Sequence, residues 1–256
     1  MKRRHGRVWR AAQSYASLLG LVVLWQGLYG LGWLPEYLLG PSVIVAQFGE
    51  MVTSGELFGH LRSSLVRSYA GFLAGSLLGI GLGLLSGISR RAEDLFNPLI
   101  SLTYPIPKIA ILPVLIVWFG IGDASKILVI LLACFYPVFI NAYYGARAVD
   151  RLHVWSALNM GATPAQIFRR IVLPTALPQI FSGLRVALAL SFILLFSAEM
   201  IGASSGLGFL ISFAEANLRF DIMFVAIVTI AILGFANDRL LVYVRQRALT
   251  WEARRR

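Results

Sequence analysis

The chain has 256 residues, of which 58% are hydrophobic and only 14% are charged. A water-soluble domain usually carries about a quarter of its residues as charges, so the composition excludes an ordinary soluble globular protein and indicates a membrane protein. The formal net charge of +11 would also suit a nucleic-acid-binding protein, and the distribution of the cations decides between the two.

Six apolar segments are candidate membrane spans. Crossing about 30 Å of hydrocarbon takes about 20 helical residues, and most of the segments reach that length once their flanks are included. They are residues 16–34, 68–88, 95–122, 127–146, 171–198 and 222–237. The first is too long for the core of a signal peptide, and we interpret it as a retained span. The sequence therefore predicts an all-α, polytopic membrane protein with six transmembrane helices in one domain over residues 1–256.

The basic residues are concentrated on one side of this predicted topology. If the N-terminus is cytoplasmic, most Lys and Arg residues fall in cytoplasmic segments, and the outside segments hold only Arg62, Arg67, Lys126 and Arg219. This asymmetry predicts that both termini are cytoplasmic. We interpret the basic ends as topology anchors against membrane lipid and expect no nucleic-acid partner.

The outside segment between the first two spans shows helical periodicity. Hydrophobic residues recur at helical spacing after Pro41, from Ile44 to Val52. The pattern predicts a helix in the membrane interface, and an ordinary covered loop is the alternative.

The second span carries a stripe of glycines four residues apart, namely Gly71, Gly75, Gly79, Gly83 and Gly87. On a helix these positions form one face without side chains, which lets another backbone approach closely. The stripe predicts a helix packed along it, from the same chain or from a second copy.

Prolines interrupt the third span, at Pro98, Pro105, Pro107 and Pro113. Proline removes a backbone donor, and non-helical backbone at membrane depth is tolerated where protein or water surrounds it. Lys108 lies in this break beside Pro105 and Pro107 and, as an ionisable residue within a span, is a candidate functional residue. The alternative is that Lys108 snorkels or satisfies carbonyls that the prolines leave free.

The fifth span contains two ionisable residues. Glu199 lies near its outer end, as a second polar group in an apolar context, and Gly202, Gly206 and Gly208 follow it. Arg185, in the inner half, is expected to pair with a carboxylate or to reach lipid headgroups. In the sixth span, Asp238 and Arg239 are interpreted as a local pair or as headgroup contacts.

The sequence contains no recognisable motif for catalysis or metal binding. The chain contains no GxxxxGK[ST] phosphate loop and no HExxH motif, its three histidines are scattered, and Cys134 is alone in a span. We therefore predict no catalytic residue, no metal site and no cofactor bound by this chain. Any energy source that this protein uses would have to come from another protein.

Residues 152–175, between the fourth and fifth spans, form a predicted cytoplasmic helix–turn–helix that we call the knuckle. Gly161 suits a left-handed turn, and Thr163 can cap the second helix with Pro164 at its first position. Pro174 and Pro178 are expected to end that helix and to start the next span.

The knuckle resembles the "EAA" loop of permease subunits of ATP-binding-cassette (ABC) importers. Gly161 is followed, after nine residues, by Ile171-x-Leu173-Pro174, as in that family. Where the family has Glu-Ala-Ala, this chain has Trp155, Ser156 and Ala157. The stretches "LLGPSVIVAQF", "HLRSSLVRSYAGFLAG", "YPIPKIAILPVLIVWFGIGDASKI" and "AEMIGASSGLGFLI" further resemble the nitrate, sulfonate, taurine and bicarbonate branch.

The resemblance implies a type I ABC importer permease fold in a multi-pass inner-membrane protein of bacteria. It implies a second permease copy, cytoplasmic ATPase subunits that hold ATP and Mg, and an extracytoplasmic substrate-binding protein. It also implies that the knuckle couples to the ATPase through Trp155, Ser156, Ala157, Met160, Gly161, Ala162, Thr163, Ile171, Leu173 and Pro174. The expected cargo is a small anion. The candidate residues of its translocation pathway are Pro105, Pro107, Lys108 and Glu199, and Lys108 is expected to favour an anion. A thiamine-precursor or riboflavin cargo is the alternative, and a self-contained secondary transporter or an intramembrane enzyme are competing functions.

Overall fold

The computed structural model describes residues 16–251 except residue 18, and these residues form helices without any strand. The helices are α1 (Leu19–Gly30), α2 (Pro41–Thr53), α3 (Glu56–Ile88), α4 (Arg90–Thr103), α5 (Leu112–Phe119), α6 (Asp123–Arg147), α7 (Arg151–Asn159), α8 (Pro164–Ile167), α9 (Leu173–Gly202), α10 (Leu207–Ala216) and α11 (Phe220–Ala248). A 3₁₀ turn, Lys108–Ile111, precedes α5, and a π turn, Phe168–Val172, joins α8 to α9. The all-α prediction is confirmed for the described residues.

Four helices are long and apolar enough to cross a membrane. They are α3, α6, the continuous helix Pro164–Gly202 and α11, with mean hydropathies between 1.8 and 2.1. The pair Arg90–Thr103 and Lys108–Phe119 is a fifth candidate that bends by 87° at its break, where the sequence places its prolines. The predicted first span contains α1, which is shorter than a span within the described residues. Six spans and cytoplasmic termini stay predictions, since residues 1–15 and 252–256 lie outside the described part.

The described residues divide into two units, and the first comprises those up to Gly59 together with Leu210–Thr229. Its helix α2 begins with Pro41 and confirms the predicted helix, whose position in the membrane interface stays a prediction. Aromatic contacts hold this unit together, since Trp25 packs against Phe224 with ring centroids 6.2 Å apart and Tyr37 packs edge-on against Phe220.

The second unit comprises His60–Phe209 and the residues from Ile230 onward, and α6 lies at its centre. The glycine stripe of α3 packs on α6 of the same chain. A Cβ atom added at Gly79 would lie 2.8 Å from the carbonyl oxygen of Phe135, and one at Gly83 would lie 2.5 Å from that of Phe139. Gly71, Gly75 and Gly87 show the same closeness to α6. The sequence left open whether the helix packed on the stripe comes from the same chain or from a second copy. The structure shows that it is α6 of the same chain.

Helix α9 also packs closely on α6 through glycines. A Cβ atom at Gly183 would lie 2.9 Å from the Pro137 carbonyl oxygen, and one at Gly145 would lie 3.0 Å from the Ala176 carbonyl oxygen. Between the helices lies an apolar core of buried side chains: Leu112, Val129, Ile130, Cys134, Val138, Ala187, Leu188, Phe192 and Leu195.

Replacing Gly79 by valine should lower the free energy of unfolding by about 1–3 kcal/mol or more, because its new side chain would meet rigid backbone of α6. Unfolding of the purified protein in detergent measures the change. Gly81→Val is the matched control, since Gly81 lies on the same helix and a Cβ there meets nothing within 4 Å. Equal stability of the two variants would contradict the close contact.

Candidate functional site

The turn of the knuckle is closed by backbone bonds around a left-handed glycine. Helix α7 starts after Asp150, whose carboxylate accepts the Leu152 N–H at 2.9 Å. Gly161 has a φ of 78°, its N–H donates to the Leu158 carbonyl at 2.9 Å, and the next residue's N–H donates to the Ala157 carbonyl at 3.0 Å. The predicted left-handed conformation at Gly161 is confirmed. Because a Cβ there would meet nothing within 4 Å, glycine is required by conformation and not by space.

A complete capping box begins the second helix of the knuckle. The Gln166 N–H donates to the Thr163 hydroxyl at 3.3 Å, and the Thr163 N–H donates to the Gln166 side-chain oxygen at 2.8 Å. Pro164 occupies the first turn, where its missing N–H costs nothing. The predicted cap at Thr163 is confirmed, and its reciprocal partner Gln166 adds to it.

The helix does not end at Pro174 and Pro178, and that prediction is wrong. Pro164–Gly202 runs as one helix of 39 residues, with a π turn over Phe168–Val172 just before Pro174. A π turn shifts the hydrogen-bond ladder by one residue, so the backbone accommodates prolines that would otherwise break it. The second helix of the knuckle is therefore continuous with α9.

The two faces of α7 differ in burial. Val154 and Ala157 pack inward on a core that includes Ile167 and Val172, and Ala162, Ile171 and Leu173 pack on the same core. Outward lie exposed apolar side chains, with Trp155 at 57% and Met160 at 80% exposure. Leu152 and Leu158, which sequence reasoning missed, extend this outward surface three residues to either side of Trp155. Ser156, Gly161 and Thr163 lie exposed beside it.

We call the set Leu152, Trp155, Leu158 and Met160 the apolar patch. Several large apolar side chains that are exposed together on one turn are typical of a protein-interaction surface. The rigid turn beneath them fixes their relative positions, so little conformational entropy would be lost when a partner binds.

Lys108 satisfies backbone carbonyls in the proline-rich break. Its Nζ donates to the carbonyls of Thr103, Tyr104 and Ile106 at 2.9, 3.0 and 2.8 Å, and lies 4.0 Å from the Tyr136 ring centroid. These contacts match the structural alternative from the sequence. Pro105 and Pro107 are exposed beside it. A pathway role for these three residues stays a prediction.

Glu199 lies at the centre of a buried polar cluster. It is 1% exposed, and its carboxylate accepts bonds from the Ser64 hydroxyl at 2.9 Å, the Arg67 guanidinium at 2.8 Å and the Gly208 N–H at 2.9 Å. Gly206 has a φ of 118°, and any side chain there would collide with this carboxylate. These contacts hold α9 to α3, and the pathway role of Glu199 stays a prediction.

Arg67 connects three helices through this cluster. Besides Glu199 of α9, it binds the Asp123 carboxylate at the start of α6 at 2.7 Å and the Ser205 carbonyl at 2.6 Å. Nearby Lys126 is also buried, and its Nζ donates to the Ile121 and Gly122 carbonyls at 2.5 and 3.1 Å. Sequence reasoning placed Arg67 and Lys126 in outside segments and missed their burial. Arg67 directly precedes the uncharged run of the second predicted span, and this position could have indicated that its side chain is buried.

Comparison with known proteins identifies the family. Residues 75–250 match the model of the binding-protein-dependent transport system inner membrane component. The chain belongs to this family. It is 36% identical over 232 residues to the putative aliphatic sulfonates transport permease SsuC of Bacillus subtilis (strain 168), covering 90% of this chain and 84% of that protein. It is 38% identical over 195 residues to the taurine transport permease TauC of Escherichia coli (strain K12), covering 76% and 71%.

The fold also matches a solved permease. A chain of the MetNI methionine ABC transporter, in an inward-facing crystal form, superposes with a TM-score of 0.59 at 20% identity, covering 76% of this chain and 94% of that one. The protein is thus an ABC permease subunit, a multi-pass component of the bacterial inner membrane, and not itself an enzyme. The family resemblance seen in the sequence is confirmed.

Gly161→Val should abolish uptake while the permease still inserts into the membrane, because a β-branched residue is strained at a φ of 78° and would distort the turn. Transport in cells and the amount of permease in isolated membranes measure the two effects. Gly161→Asn is the control, since asparagine tolerates the left-handed region and should retain most uptake. Normal transport by the valine variant would refute the importance of this turn.

Removing one partner of the buried ion pair should cost more than removing both. Glu199→Met is expected to lower the free energy of unfolding by up to about 3–5 kcal/mol, because the buried Arg67 then keeps only the exposed Asp123 carboxylate as a counter-ion. The double variant Arg67→Met/Glu199→Met should recover part of that loss. Unfolding of both single variants and the double variant in detergent gives the coupling energy. Additive losses would show that the two charges do not depend on each other.

Proposed function

We propose that this chain forms, with a second copy of itself, the translocation pathway of an ABC importer for small organic anions of the sulfonate type. Two relatives that are more than a third identical over most of the chain carry names of sulfonate and taurine permeases. A binding protein outside the cell would deliver the cargo, and cytoplasmic ATPase subunits, which hold ATP and Mg, would supply the energy.

The apolar patch carries the coupling part of this proposal. It lies on α7 and the turn after it, and from Pro164 the chain continues as one helix to Gly202, so a partner bound to the patch would act at the base of a candidate membrane helix. In place of the family's glutamate, Trp155 offers an apolar side chain that is more than half exposed, which suits an apolar groove on the ATPase. Burial of such an aromatic side chain typically dominates the binding energy of an interface.

Trp155→Ala should weaken binding of the ATPase subunit by about 30-fold, which corresponds to the loss of a hot-spot contact of about 2 kcal/mol, and its co-purification should fall accordingly. Trp33→Ala is the matched control, because Trp33 is also exposed but lies in the connection between α1 and α2, predicted on the opposite side of the membrane. Quantification of both subunits after detergent extraction measures the effect. Equal ATPase recovery with both variants would contradict docking through the patch.

The complete assembly tests the function itself. Proteoliposomes holding the permease, its co-purified ATPase and its binding protein should accumulate taurine or an alkanesulfonate only when ATP is present. Uptake without nucleotide would instead support the self-contained secondary transporter. A system that moves a thiamine precursor or riboflavin and ignores sulfonates would contradict the proposed cargo.

A further inference from the structure

A partly exposed ion pair joins two candidate membrane helices. Arg185 of α9 donates through Nε and Nη2 to the two carboxylate oxygens of Asp238 of α11, at 2.7 and 3.0 Å. The side chain of Arg185 is 59% exposed and that of Asp238 is 33% exposed. The sequence expectation that Arg185 pairs with a carboxylate is confirmed, while Asp238 pairs with Arg185 and not with Arg239, whose guanidinium lies 4.8 Å from the Phe235 ring centroid.

Contact with lipid is a poor explanation for this exposure. Arg185 lies 12 residues after the start of α9, which places it about 18 Å along the helix at 1.5 Å per residue. Because the predicted fifth span runs from residue 171 to residue 198, Arg185 is expected within the hydrocarbon, where charged side chains are costly and normally face protein or a water-filled cavity. The face of α9 that carries Arg185 is therefore expected to line the pathway.

An apolar groove extends from the ion pair between α9 and α11. Its volume is about 350 Å³, and its walls are formed by Leu188, Ala189, Phe192, Ile193, Phe196, Ile230 and Gly234. The volume lies within the usual range for small-molecule sites, about 300–1,000 Å³. The groove thus combines the Arg185–Asp238 ion pair at its end with walls formed by apolar side chains and a glycine.

We propose that this groove is a cargo subsite that binds the alkyl chain of a sulfonate along its walls and the sulfonate head at Arg185. The proposal rests on the importer function proposed above and adds the residues that contact the cargo. A guanidinium presents two parallel N–H donors, which match two oxygens of one anionic head. Asp238 occupies those donors when cargo is absent, and the incoming sulfonate takes its place.

The carboxylate of Asp238 also makes the binding of the anion at Arg185 weak enough for transport. A translocation site must bind its cargo well enough to accept it and weakly enough to release it. Competition from Asp238 lowers the affinity of Arg185 for the anion without removing its charge. The apolar walls then favour cargo with an alkyl chain over inorganic anions such as nitrate or bicarbonate, which gain nothing from apolar contact.

Gly234 allows a test that spares the fold. A Cβ there meets nothing within 4 Å, so Gly234→Leu should fill the groove without strain. In proteoliposomes with ATPase and binding protein, this variant should lower uptake of hexanesulfonate by about tenfold, the scale set by lost space in an apolar pocket. Uptake of methanesulfonate should change less than about twofold by the same reasoning. Gly81→Leu, in open space on α3, is the control and should change neither.

The head-group contact is tested separately with the same assembly. Arg185→Gln should reduce uptake of both sulfonates, and Asp238→Asn should raise the affinity of the detergent-solubilised complex for hexanesulfonate, measured by equilibrium binding without the binding protein. The variants share one binding protein in the uptake assay, so its own selectivity cancels from their ratios.

The outcomes separate the proposals. If the unmodified assembly moves no sulfonate with ATP, the proposed function fails. If it does, but Gly234→Leu affects the two sulfonates equally or leaves both unchanged, the subsite is overturned and the function stands. If cross-linking shows that Gly234→Leu loses the permease dimer, the groove is a contact surface for the second copy, and the subsite is overturned as well.

Discussion

The contact of α3 and α9 with α6, backbone against backbone, is the constraint on which the rest of the second unit depends. Lipid is as apolar as the side chains of these helices, so the hydrophobic effect contributes little to their association, and close packing must supply it. Glycines at Gly79, Gly83 and Gly183 allow that closeness. The contact also fixes the register of three helices, because Arg67 on α3 reaches Asp123 on α6 and Glu199 on α9 only when all three are held together.

The chain satisfies the backbone around its prolines in two different ways. In the break between α4 and α5, the helix ends, and the ammonium group of Lys108 binds three of the carbonyls nearby. At the base of α9, the helix instead continues, because a π turn precedes Pro174. The first solution produces a sharp bend in a candidate span, and the second preserves a rigid connection between the knuckle and α9.

Features that depend on local sequence could be predicted, and features that depend on distant residues could not. The left-handed turn at Gly161 and the cap at Thr163 follow from short motifs, and the close-packed stripe of α3 follows from spacing alone. The pairing of Arg67 with Glu199 joins residues 132 positions apart, and the sequence gives no indication of such a partner. The continuation of the helix through Pro174 was missed because the strong local preference of proline is overridden by a shift of the hydrogen-bond ladder.

The two ion pairs carried by α9 differ in a way that assigns them different roles. The carboxylate of Glu199 is fully buried and accepts bonds from Arg67, a hydroxyl and a backbone N–H, so its contacts hold α9 to α3. Arg185 is bound by one carboxylate and remains more than half exposed, which leaves its guanidinium accessible to the anion that the proposed subsite would bind. Since α9 also continues into the second helix of the knuckle, one helix carries Arg185 and Glu199 and reaches the turn that follows the apolar patch. In the importer proposed above, a displacement of the knuckle would be transmitted along α9 to the surroundings of Arg185.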